Sequence, residues 1–446
     1  MNSMERYMKF RYVARIVIEA DTPICVGSGE KTIDTDSEVT LDVNGLPYIP
    51  GTTIAGVLRH IMVDVDKNNL FGFQEDGKGV GSRLIVTEAR MVGEDGKVVD
   101  GLQEELTGAF YDRYENLPIR HHVRISDKGV AENAGKFDEH VVYKGTRFVF
   151  EMELLQEEPN KAEIINILDQ LGRSTLRFGG GTRKGFGKVC VVECRIKAYN
   201  LENSVDLQAY LDKSSSLAAD FDGRDFAVRG EVADATIYEL ALEPEDFFLF
   251  GSGFGDAKSD MAPMTELVVE WKDGKPEFNE ERSLIPATSL KGALRHRTLY
   301  HYNRKVGNFA DKGASIDETL LEPLFGAAGP KADNMSCGKV LLSDLMEKRI
   351  KEKLVNHVAI DRFTGSTIDG ALYNEHVNYG KGQSLTTQIV VANGVDGELL
   401  NAFETAIKDV CSGMLPLGGG VMRGNGCFTG TLKRNGVQIY PNTEEE

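Results

Sequence analysis

Residues 49–60 have the sequence IPGTTIAGVLRH, and residues 285–296 have IPATSLKGALRH. The two stretches share an Ile-Pro turn, a Thr or Ser in the opening and a Gly-x-Leu-Arg-His ending, at an offset of 236 residues (49 to 285). Proline ends an extended segment and a small hydroxyl residue then begins a helix, so each stretch predicts a strand, a turn and a helix. A match of this length within one chain predicts a duplicated unit.

Other landmarks recur in the same order and support the duplication. They are GSG at 27–29 and 251–253, HVRIS at 122 with HVAID at 357, Glu139-His140-Val141 with Glu375-His376-Val377, and LRFGGGTRKGFGKV with LPLGGGVMRGNGCF. Their offsets are 224, 235, 236 and 239 residues (27 to 251, 122 to 357, 139 to 375, and 179 to 418). We therefore predict a first unit at 1–200, a linker at 201–233 and a second unit at 234–446.

The offset grows between the GSG landmark and the Ile-Pro landmark, which places an insertion in the second unit. The inserted sequence ELVVEWKDGKPEFNEERSL predicts a hairpin, with its turn at Lys272-Asp273-Gly274. Each unit otherwise has the order strand, helix, strands, helix, strand. That order predicts an α+β fold with a ferredoxin-like sheet in each half.

Composition limits the class of protein. Of 446 residues, 41% are hydrophobic and 27% charged, which is typical of a soluble globular chain, and no apolar run is long enough to span a membrane. The first residues mix charged and apolar side chains, unlike a signal peptide. Six Cys without a Cys-x-x-Cys pair predict neither a disulfide scaffold nor a zinc site, and we expect a cytoplasmic protein with reduced thiols. Cys190 and Cys194 lie in a strand-like segment, where core packing is expected.

The net charge of −18 argues against a nucleic-acid partner, but the distribution of charge does not. Residues 170–192, 282–310 and 410–443 contain no acidic residue and hold many of the Lys and Arg side chains. These blocks form either solvated faces or a basic groove for a polyanion.

The repeated motifs suggest how a polyanion would bind. The unpaired N–H groups at a helix start attract anions, while a capped core helix is the alternative. The Gly-rich loops fail the phosphate-loop spacing, because Val189 follows Lys188, but they allow close approach of a backbone; a tight loop before the last strand is the alternative. The candidate RNA-binding residues are Thr53, Arg59, Arg183, Lys184, Ser289, Lys291, Arg295 and Arg423.

This ordered set of motifs, present twice, resembles the RAMP superfamily of CRISPR proteins, and more closely the backbone subunit of type III effector complexes. The residues that carry the resemblance are Ile49–Arg59, Ile285–Arg295, the segment Ile360-Asp361-Arg362-Phe363-Thr364-Gly365, and both Gly-rich loops. The resemblance covers most of both units.

The resemblance implies a core akin to an RNA-recognition module, with thumb hairpins inserted near 115–142 and 352–382. Such subunits line a guide RNA, and their thumbs interrupt the guide–target duplex at regular intervals. A loop Asp before the Ile-Pro motif supports target RNA cleavage with Mg²⁺ or Mn²⁺. The matching residues are Asp36 and, at the GSG offset, Asp260, with Asp34 and Asp256 as imperfect competitors; Asp127 and Asp361 lie in the thumb segments, where ordering of a loop is expected.

The chemistry also follows from the substrate. RNA carries its own nucleophile, the 2′-OH beside each phosphate, so a protein need only splay the strand and supply a base or a metal-held hydroxide. The resulting prediction is a guide-RNA-binding subunit that cuts paired target RNA beside other effector subunits.

Three alternatives stay open. One is a scaffold that binds RNA without cutting it. Another is a stand-alone guide-processing endoribonuclease that uses His as general acid or base; six of the eight His form repeat-matched pairs, namely 60 with 296, 122 with 357 and 140 with 376. The third is an acidic protein–protein adaptor.

Overall fold

A computed structural model describes residues 8–33, 35–62, 65–75, 78–104, 106–126, 129–230, 235–309, 318–327 and 336–441. Within these ranges the chain forms two α+β units, as the sequence predicts. Unit 1 denotes the described residues up to 230, and unit 2 denotes those from 235 onward. Strands and helices are numbered separately in chain order.

Unit 1 contains ten strands and five helices among its described residues. They are β1 (Phe10–Ala20), α1 (Gly51–Ile61), α2 (Lys67–Phe71), β2 (Phe73–Glu75), β3 (Lys78–Val80), β4 (Leu84–Val86), β5 (Arg90–Met91), α3 (Ala109–Glu115), β6 (Ile119–Ile125), β7 (Ala131–His140), β8 (Arg147–Gln156), α4 (Lys161–Asp169), β9 (Val189–Asn200), α5 (Ser204–Leu211) and β10 (Arg224–Asp225).

The described part of unit 2 contains fifteen strands and three helices. They are β11 (Ala235–Pro244), β12 (Phe247–Phe248), β13 (Thr265–Glu266), β14 (Val269–Lys272), β15 (Lys275–Phe278), β16 (Arg282–Ile285), α6 (Ala287–Lys305), α7 (Glu322–Phe325), β17 (Gly326–Ala327), β18 (Ser336–Cys337), β19 (Val340–Leu342), β20 (Leu345–Glu347), β21 (Glu352–Ile360), β22 (Thr367–Tyr379), β23 (Leu385–Ala392), α8 (Gly397–Cys411), β24 (Phe428–Arg434) and β25 (Val437–Tyr440). Short 3₁₀ turns occur at Gln170–Gly172, Glu318–Leu321 and Val421–Arg423.

The main sheets of the two units have the same strand order. In unit 1 the order β9-β1-β8-β4 extends to β10 at one edge, and β5 also pairs with β8. In unit 2 the order β24-β11-β23-β19 extends to β25. Neighbouring strands are antiparallel in both sheets. The duplication inferred from short motifs therefore extends to the topology.

Two helices cover one face of each main sheet. In unit 1, Ile54 and Leu58 of α1 and Ile164 of α4 join a core with alternate residues of β1. In unit 2, Leu290 of α6 and Phe403 of α8 pack in a separate core. Burial of these apolar faces is what stabilises the helices against the sheets.

The inserted hairpin of unit 2 packs on unit 1. β14 and β15 pair through a turn at Asp273 and Gly274, both with positive φ, which confirms the predicted position of the turn. Phe278 joins the unit 1 core beside Tyr143, with ring centroids 4.9 Å apart. The indole N–H of Trp271 donates to the carbonyl of Gly145 at 2.8 Å. The insertion is therefore one of the elements that join the two units.

A buried arginine also crosses between the units. Arg120 of β6 lies 2.5 Å from Glu266 of β13 and 3.1 Å from Asp344, and all three side chains are at most 4% exposed. Burial raises the pKa of Glu266, while the Arg120 charge opposes that shift. Arg120 thus compensates two buried carboxyl groups that belong to the other unit.

The segment expected to link the units packs on unit 1. α5 begins after Asn203, whose side chain accepts from Val205 and Asp206 N–H, as expected for a helix cap. Farther along, Phe221 packs with Val13 and Tyr199 on the outer face of the sheet. Leu201, Tyr210 and Phe221 therefore pack on the sheet face opposite α1 and α4.

Candidate nucleic-acid interface

The loop that carries Asp36 is bonded to the hairpin β6–β7. Asp36 N–H donates to the carbonyl of Asp138 at 3.0 Å, and Asp138 N–H donates to Asp36 Oδ2 at 3.3 Å. Ser37 pairs with Glu139 in a parallel bridge. The Asp36 side chain is 54% exposed, and its Oδ1 lies 3.8 Å from Lys31 Nζ. One carboxylate oxygen is thus fixed by the hairpin, and the other is next to solvent.

Asp260 has the same environment in unit 2. Its N–H donates to the carbonyl of Asn374 at 3.1 Å, and Asn374 N–H donates to Asp260 Oδ2 at 2.9 Å. Met261 forms the matching parallel bridge with Glu375. Asp260 is exposed. Asp260, placed in the sequence by its offset from Asp36, thus has the same hydrogen bonds and position as Asp36.

Beside the Asp36 loop, hairpin β6–β7 carries a cluster of charged and aromatic side chains. Glu139, 8% exposed, lies 3.0 Å from His122 and accepts from Lys184 of the Gly-rich loop at 3.0 Å. The His122 ring stacks on the Phe137 ring, with centroids 4.8 Å apart, and the Lys184 ammonium lies 4.3 Å from the Phe137 ring centroid. Burial opposes ionisation of Glu139, but His122 and Lys184 hold its pKa below the usual value.

Unit 2 repeats this cluster with related residues. Glu375, 2% exposed, lies 2.9 Å from His357 and accepts two hydrogen bonds from Arg423, each 2.9 Å long. His357 stacks on Tyr373 at 4.8 Å, and Arg423 also donates to the Tyr373 hydroxyl. In each unit, therefore, a Lys or Arg side chain of the Gly-rich loop is hydrogen-bonded to a buried glutamate, and a loop aspartate lies beside that glutamate.

The two loops alternate with the two hairpins along the molecule. Asp138 of hairpin β6–β7 contacts His121 at 2.5 Å, and the His121 ring lies 5.0 Å from Phe254 in the loop that carries Asp260. Lys136 of the same hairpin lies 5.8 Å from the Phe254 ring. The order is therefore the Asp36 loop, hairpin β6–β7, the Asp260 loop and hairpin β21–β22.

The structure divides the candidate RNA-binding residues into two groups. Lys184, Ser289 and Arg423 are at least one-third exposed. The remaining five are half-buried, and these are Thr53, Arg59, Arg183, Lys291 and Arg295. The guanidinium of Arg59 donates to the Gly72 carbonyl and to the Asn68 side chain, so it ties α1 to α2.

Two acid-free blocks meet at the boundary between the units. Arg183 donates to the Gly338 carbonyl at 2.6 Å, and Lys291 of α6 donates to the Arg183 carbonyl at 2.9 Å. Burial, together with the positive charge of Arg183, lowers the pKa of Lys291 to about 8. A lysine with this pKa changes its charge close to neutral pH.

The start of α6 is bonded within the protein. Ala287 N–H donates to Asp344 Oδ1 at 2.8 Å, and Gly185 of the unit 1 Gly-rich loop packs against Ala287. A carboxylate of the chain thus occupies the position where the sequence suggests an external anion.

Four of the six repeat-matched histidines, His122, His140, His357 and His376, contact the loops or the clusters. His140 lies 2.7 Å from Glu38, and His376 lies 3.0 Å from Asp256, so each ties an Asp-bearing loop to its hairpin. His60 is exposed and His296 half-buried. Sequence reasoning missed Glu139 and Glu375 as members of a site, although their match at the repeat offset was the signal that could have identified them.

The loop carboxylates fit a divalent cation only if RNA supplies most of the ligands. No group of three or more His, Cys, Asp or Glu side chains that could hold a metal occurs among the residues described. Mg²⁺ commonly takes one or two protein carboxylates and completes its shell with phosphate oxygens and water, which suits a single exposed Asp. Asp34 and Asp127 lie outside the described residues, and Asp361 accepts from Phe363 and Thr364 N–H, so it orders the hairpin tip.

Comparison with protein families identifies the superfamily. The model of the RAMP superfamily matches residues 17–190 and 264–429, which is more than half of the chain and includes both units. The chain belongs to the RAMP superfamily. RAMP proteins are generally CRISPR-associated RNA-binding proteins. A comparison with curated proteins finds no match. In the described part of this RAMP protein, no helix has the length and apolar character needed to cross a membrane.

Proposed function

We propose that this chain is a guide-RNA-binding backbone subunit of a type III CRISPR effector complex and that it cuts target RNA paired to the guide. The observation that carries the proposal is the repetition of one arrangement. In both units an exposed loop Asp is hydrogen-bonded to a hairpin residue, Asp138 or Asn374. The residue that follows it in the hairpin is the buried Glu that contacts a His and a cation. The strand order and the two helices of each unit support a ferredoxin-like core.

The alternation of loops and hairpins supports cutting at regular intervals. In this proposal each hairpin acts as a thumb that displaces a target nucleotide from the duplex. The displaced nucleotide then lies beside Asp36 or Asp260. Splaying the strand allows in-line attack, in which the 2′-oxygen forms a bond to phosphorus while the bond to the 5′-oxygen breaks. The products are a 2′,3′-cyclic phosphate and a 5′-hydroxyl.

The chain's own groups have separate tasks in this reaction. The exposed oxygens of Asp36 and Asp260 would hold the divalent cation, which supplies charge stabilisation and a hydroxide base when bound. Lys184 and Arg423 carry positive charge next to the phosphates of the displaced strand. Glu139 and Glu375 position those two cations. Contacts to phosphate and 2′-OH groups give affinity, while base pairing with the guide gives sequence specificity.

The experiment uses the full chain assembled with its partner subunits and guide RNA. A labelled complementary target is incubated with Mg²⁺, with Mn²⁺ or with a chelator. We expect D36A and D260A each to remove one cleavage position, the double variant to remove both, and RNA binding to persist. D361N is the matched control, because Asp361 also accepts backbone N–H groups but lies at a hairpin tip. An unchanged cleavage pattern in both Asp variants would contradict the proposal.

One observation favours a scaffold that does not cut. Each loop Asp already orders its hairpin, which is a structural role that needs no reaction. If the assembled wild-type complex binds target without metal-dependent cleavage, the scaffold function is correct. Guide processing by histidine predicts instead that H122A or H357A stops cleavage of a guide precursor by the chain alone.

A further inference from the structure

A pair of carboxylates occupies the same place in both units. In unit 1 the pair is Asp42 and Glu88, and in unit 2 it is Glu266 and Asp344. The strand pairing of the adjacent residues shows the match. Leu41, before Asp42, bridges Pro47, and Thr265, before Glu266, pairs with Ser283. Ala89, after Glu88, bridges Ile49, and Leu345, after Asp344, pairs with Ile285. We call each pair, with the space between its side chains, the arginine socket.

In unit 2 the socket is filled by the preceding unit. Arg120 of hairpin β6–β7 reaches across the boundary, to 2.5 Å from Glu266 and 3.1 Å from Asp344. All three side chains are nearly inaccessible to solvent. The contact is head-to-tail, because the hairpin of one unit meets a different surface, the socket, of the next unit. A head-to-tail contact does not close on itself, so it leaves one unused surface at each end of the chain.

In unit 1 the socket is filled from within. Arg90 of β5 lies 3.0 Å from Asp42 and also pairs with Glu88. Its guanidinium stacks on Tyr48, 5.4 Å from the ring centroid. Asp42 is 3% exposed, Arg90 16% and Glu88 42%, so the socket is occupied and its Glu88 side remains in contact with water.

The two units differ at the two positions that could supply an arginine to a socket. Met346 stands in β20 where Arg90 stands in β5, so unit 2 has no arginine of its own there. Val355 of hairpin β21–β22 stands where Arg120 stands in hairpin β6–β7, since both lie opposite the repeat-matched glutamate. Unit 2 therefore offers no arginine to a following unit, and unit 1 needs none from a preceding one.

We propose that the arginine socket joins consecutive units of this fold, and that Arg90 closes it in unit 1, so that a second copy of this chain does not stack on unit 1. Stacking of two copies would place Val355 against the filled socket. The ion pair would lose water without gaining a partner, which is unfavourable. The inference concerns assembly, and it does not depend on whether the chain cleaves RNA.

The test exchanges the residues between the units in the full-length chain. R90M gives unit 1 the residue that unit 2 has, and V355R gives hairpin β21–β22 the residue that hairpin β6–β7 has. Mass photometry and sedimentation velocity are run over a wide concentration range, with and without single-stranded RNA. We expect wild type and both single variants to remain monomeric. R90M/V355R should form dimers and longer stacks whose fraction rises with concentration.

A further pair of changes checks the cause. Adding D42N and E88Q to R90M/V355R removes the carboxylates and should restore the monomer, whereas nonspecific aggregation would persist. Circular dichroism establishes that each variant is folded. If R90M does not fold, the oligomeric state of the wild-type chain still tests the proposal. Wild-type stacks that D42N/E88Q disperses would overturn the proposal, as would a folded R90M/V355R chain that stays monomeric.

Discussion

Asp260 and Asn374 form a reciprocal pair, in which the N–H of each residue donates to an oxygen of the other, at 3.1 and 2.9 Å. Asp36 and Asp138 repeat the pair in unit 1. In both cases the hairpin N–H fixes one oxygen of the loop carboxylate, and the other oxygen takes no part in that hydrogen bond. The orientation of the exposed oxygen is thus set by a backbone group, which substitution of the partner side chain does not remove.

Asparagine at these positions should separate the role of charge from the role of loop order. D36N and D260N retain an oxygen that can accept the hairpin N–H, so we expect the free energy of unfolding to change by less than about 0.5 kcal/mol. Cleavage at the matching position should fall by at least about 100-fold, because the charge that holds the cation is lost. Urea denaturation and a single-turnover cleavage assay measure the two effects. Equal cleavage by D36N and wild type would remove Asp36 from the proposed chemistry.

Arg120 should control the joint between the units. R120M leaves Glu266 and Asp344 buried without their cation, and breaking such a pair commonly costs about 3–5 kcal/mol. Trp271, the only tryptophan in the chain, lies at this boundary and reports its opening by fluorescence. We expect the Trp271 transition of R120M to shift to lower urea concentration, with R120M/E266Q recovering part of the loss. R349M, which disrupts a half-exposed surface pair, is the control.

Lys291 should give RNA affinity a pH dependence. Its pKa is lowered to about 8, so its positive charge is present below pH 8 and lost as pH rises through that value. If Lys291 faces a phosphate, affinity should weaken a few-fold between pH 7 and 9 at constant salt. K291R should bind with little change over this range, because arginine keeps its charge. Fluorescence anisotropy with labelled RNA provides the measurement. Parallel pH profiles of wild type and K291R would exclude a phosphate contact.

Arg423 should have separate effects on stability and on RNA binding. R423A leaves Glu375, which is 2% exposed, with His357 as its remaining side-chain partner, and we expect a loss of about 1–3 kcal/mol in the free energy of unfolding. R423A/E375Q should recover much of that stability. Neither variant should recover the RNA contact, so the slope of log affinity against log salt should fall by about 1 in both. Recovery of the slope in the double variant would assign Arg423 a structural role only.

Acid should weaken the loop that carries Asp260. Hydrogen bonds from Lys258 N–H, and then from Ser259 and His376, lower the pKa of Asp256 to about 2 despite an opposing effect of burial. A lowered carboxyl pKa stabilises the fold above the usual value of 3.8, and this contribution is lost as pH falls from 3.8 towards 2. Wild type should therefore lose stability faster than D256N over this range in urea titrations. Identical pH profiles would show that Asp256 does not stabilise the fold.

Much of the fold follows from the repeated sequence because the landmarks lie at element boundaries. The helices begin where the Ile-Pro motifs predict, at Gly51 and Ala287. The inserted hairpin lies where the offset changes. Counting from GSG gives Asp260 as the counterpart of Asp36, and the two residues have matching hydrogen bonds to their hairpins.

Other features depend on packing that one-dimensional spacing does not encode. Cys190 was expected in the core with Cys194, but a bulge in the pairing of β1 with β9 leaves Cys190 exposed and Cys194 buried. No pattern in the sequence indicated that Arg90 fills the socket of unit 1 and Arg120 fills the socket of unit 2. This difference becomes visible only when the two units dock, because Arg120 and its partners are far apart in sequence.

The insertion hairpin β14–β15 has a consequence for how the protein engages a long ligand. Because Phe278 packs against the core of unit 1, unit 2 is held in place beside unit 1 within one polypeptide. Once one half is engaged, the other is present at a high effective concentration, without a second loss of translational freedom. In the proposed RNA complex, the spacing between the two contact points would then be set within a single polypeptide and not by the association of separate molecules.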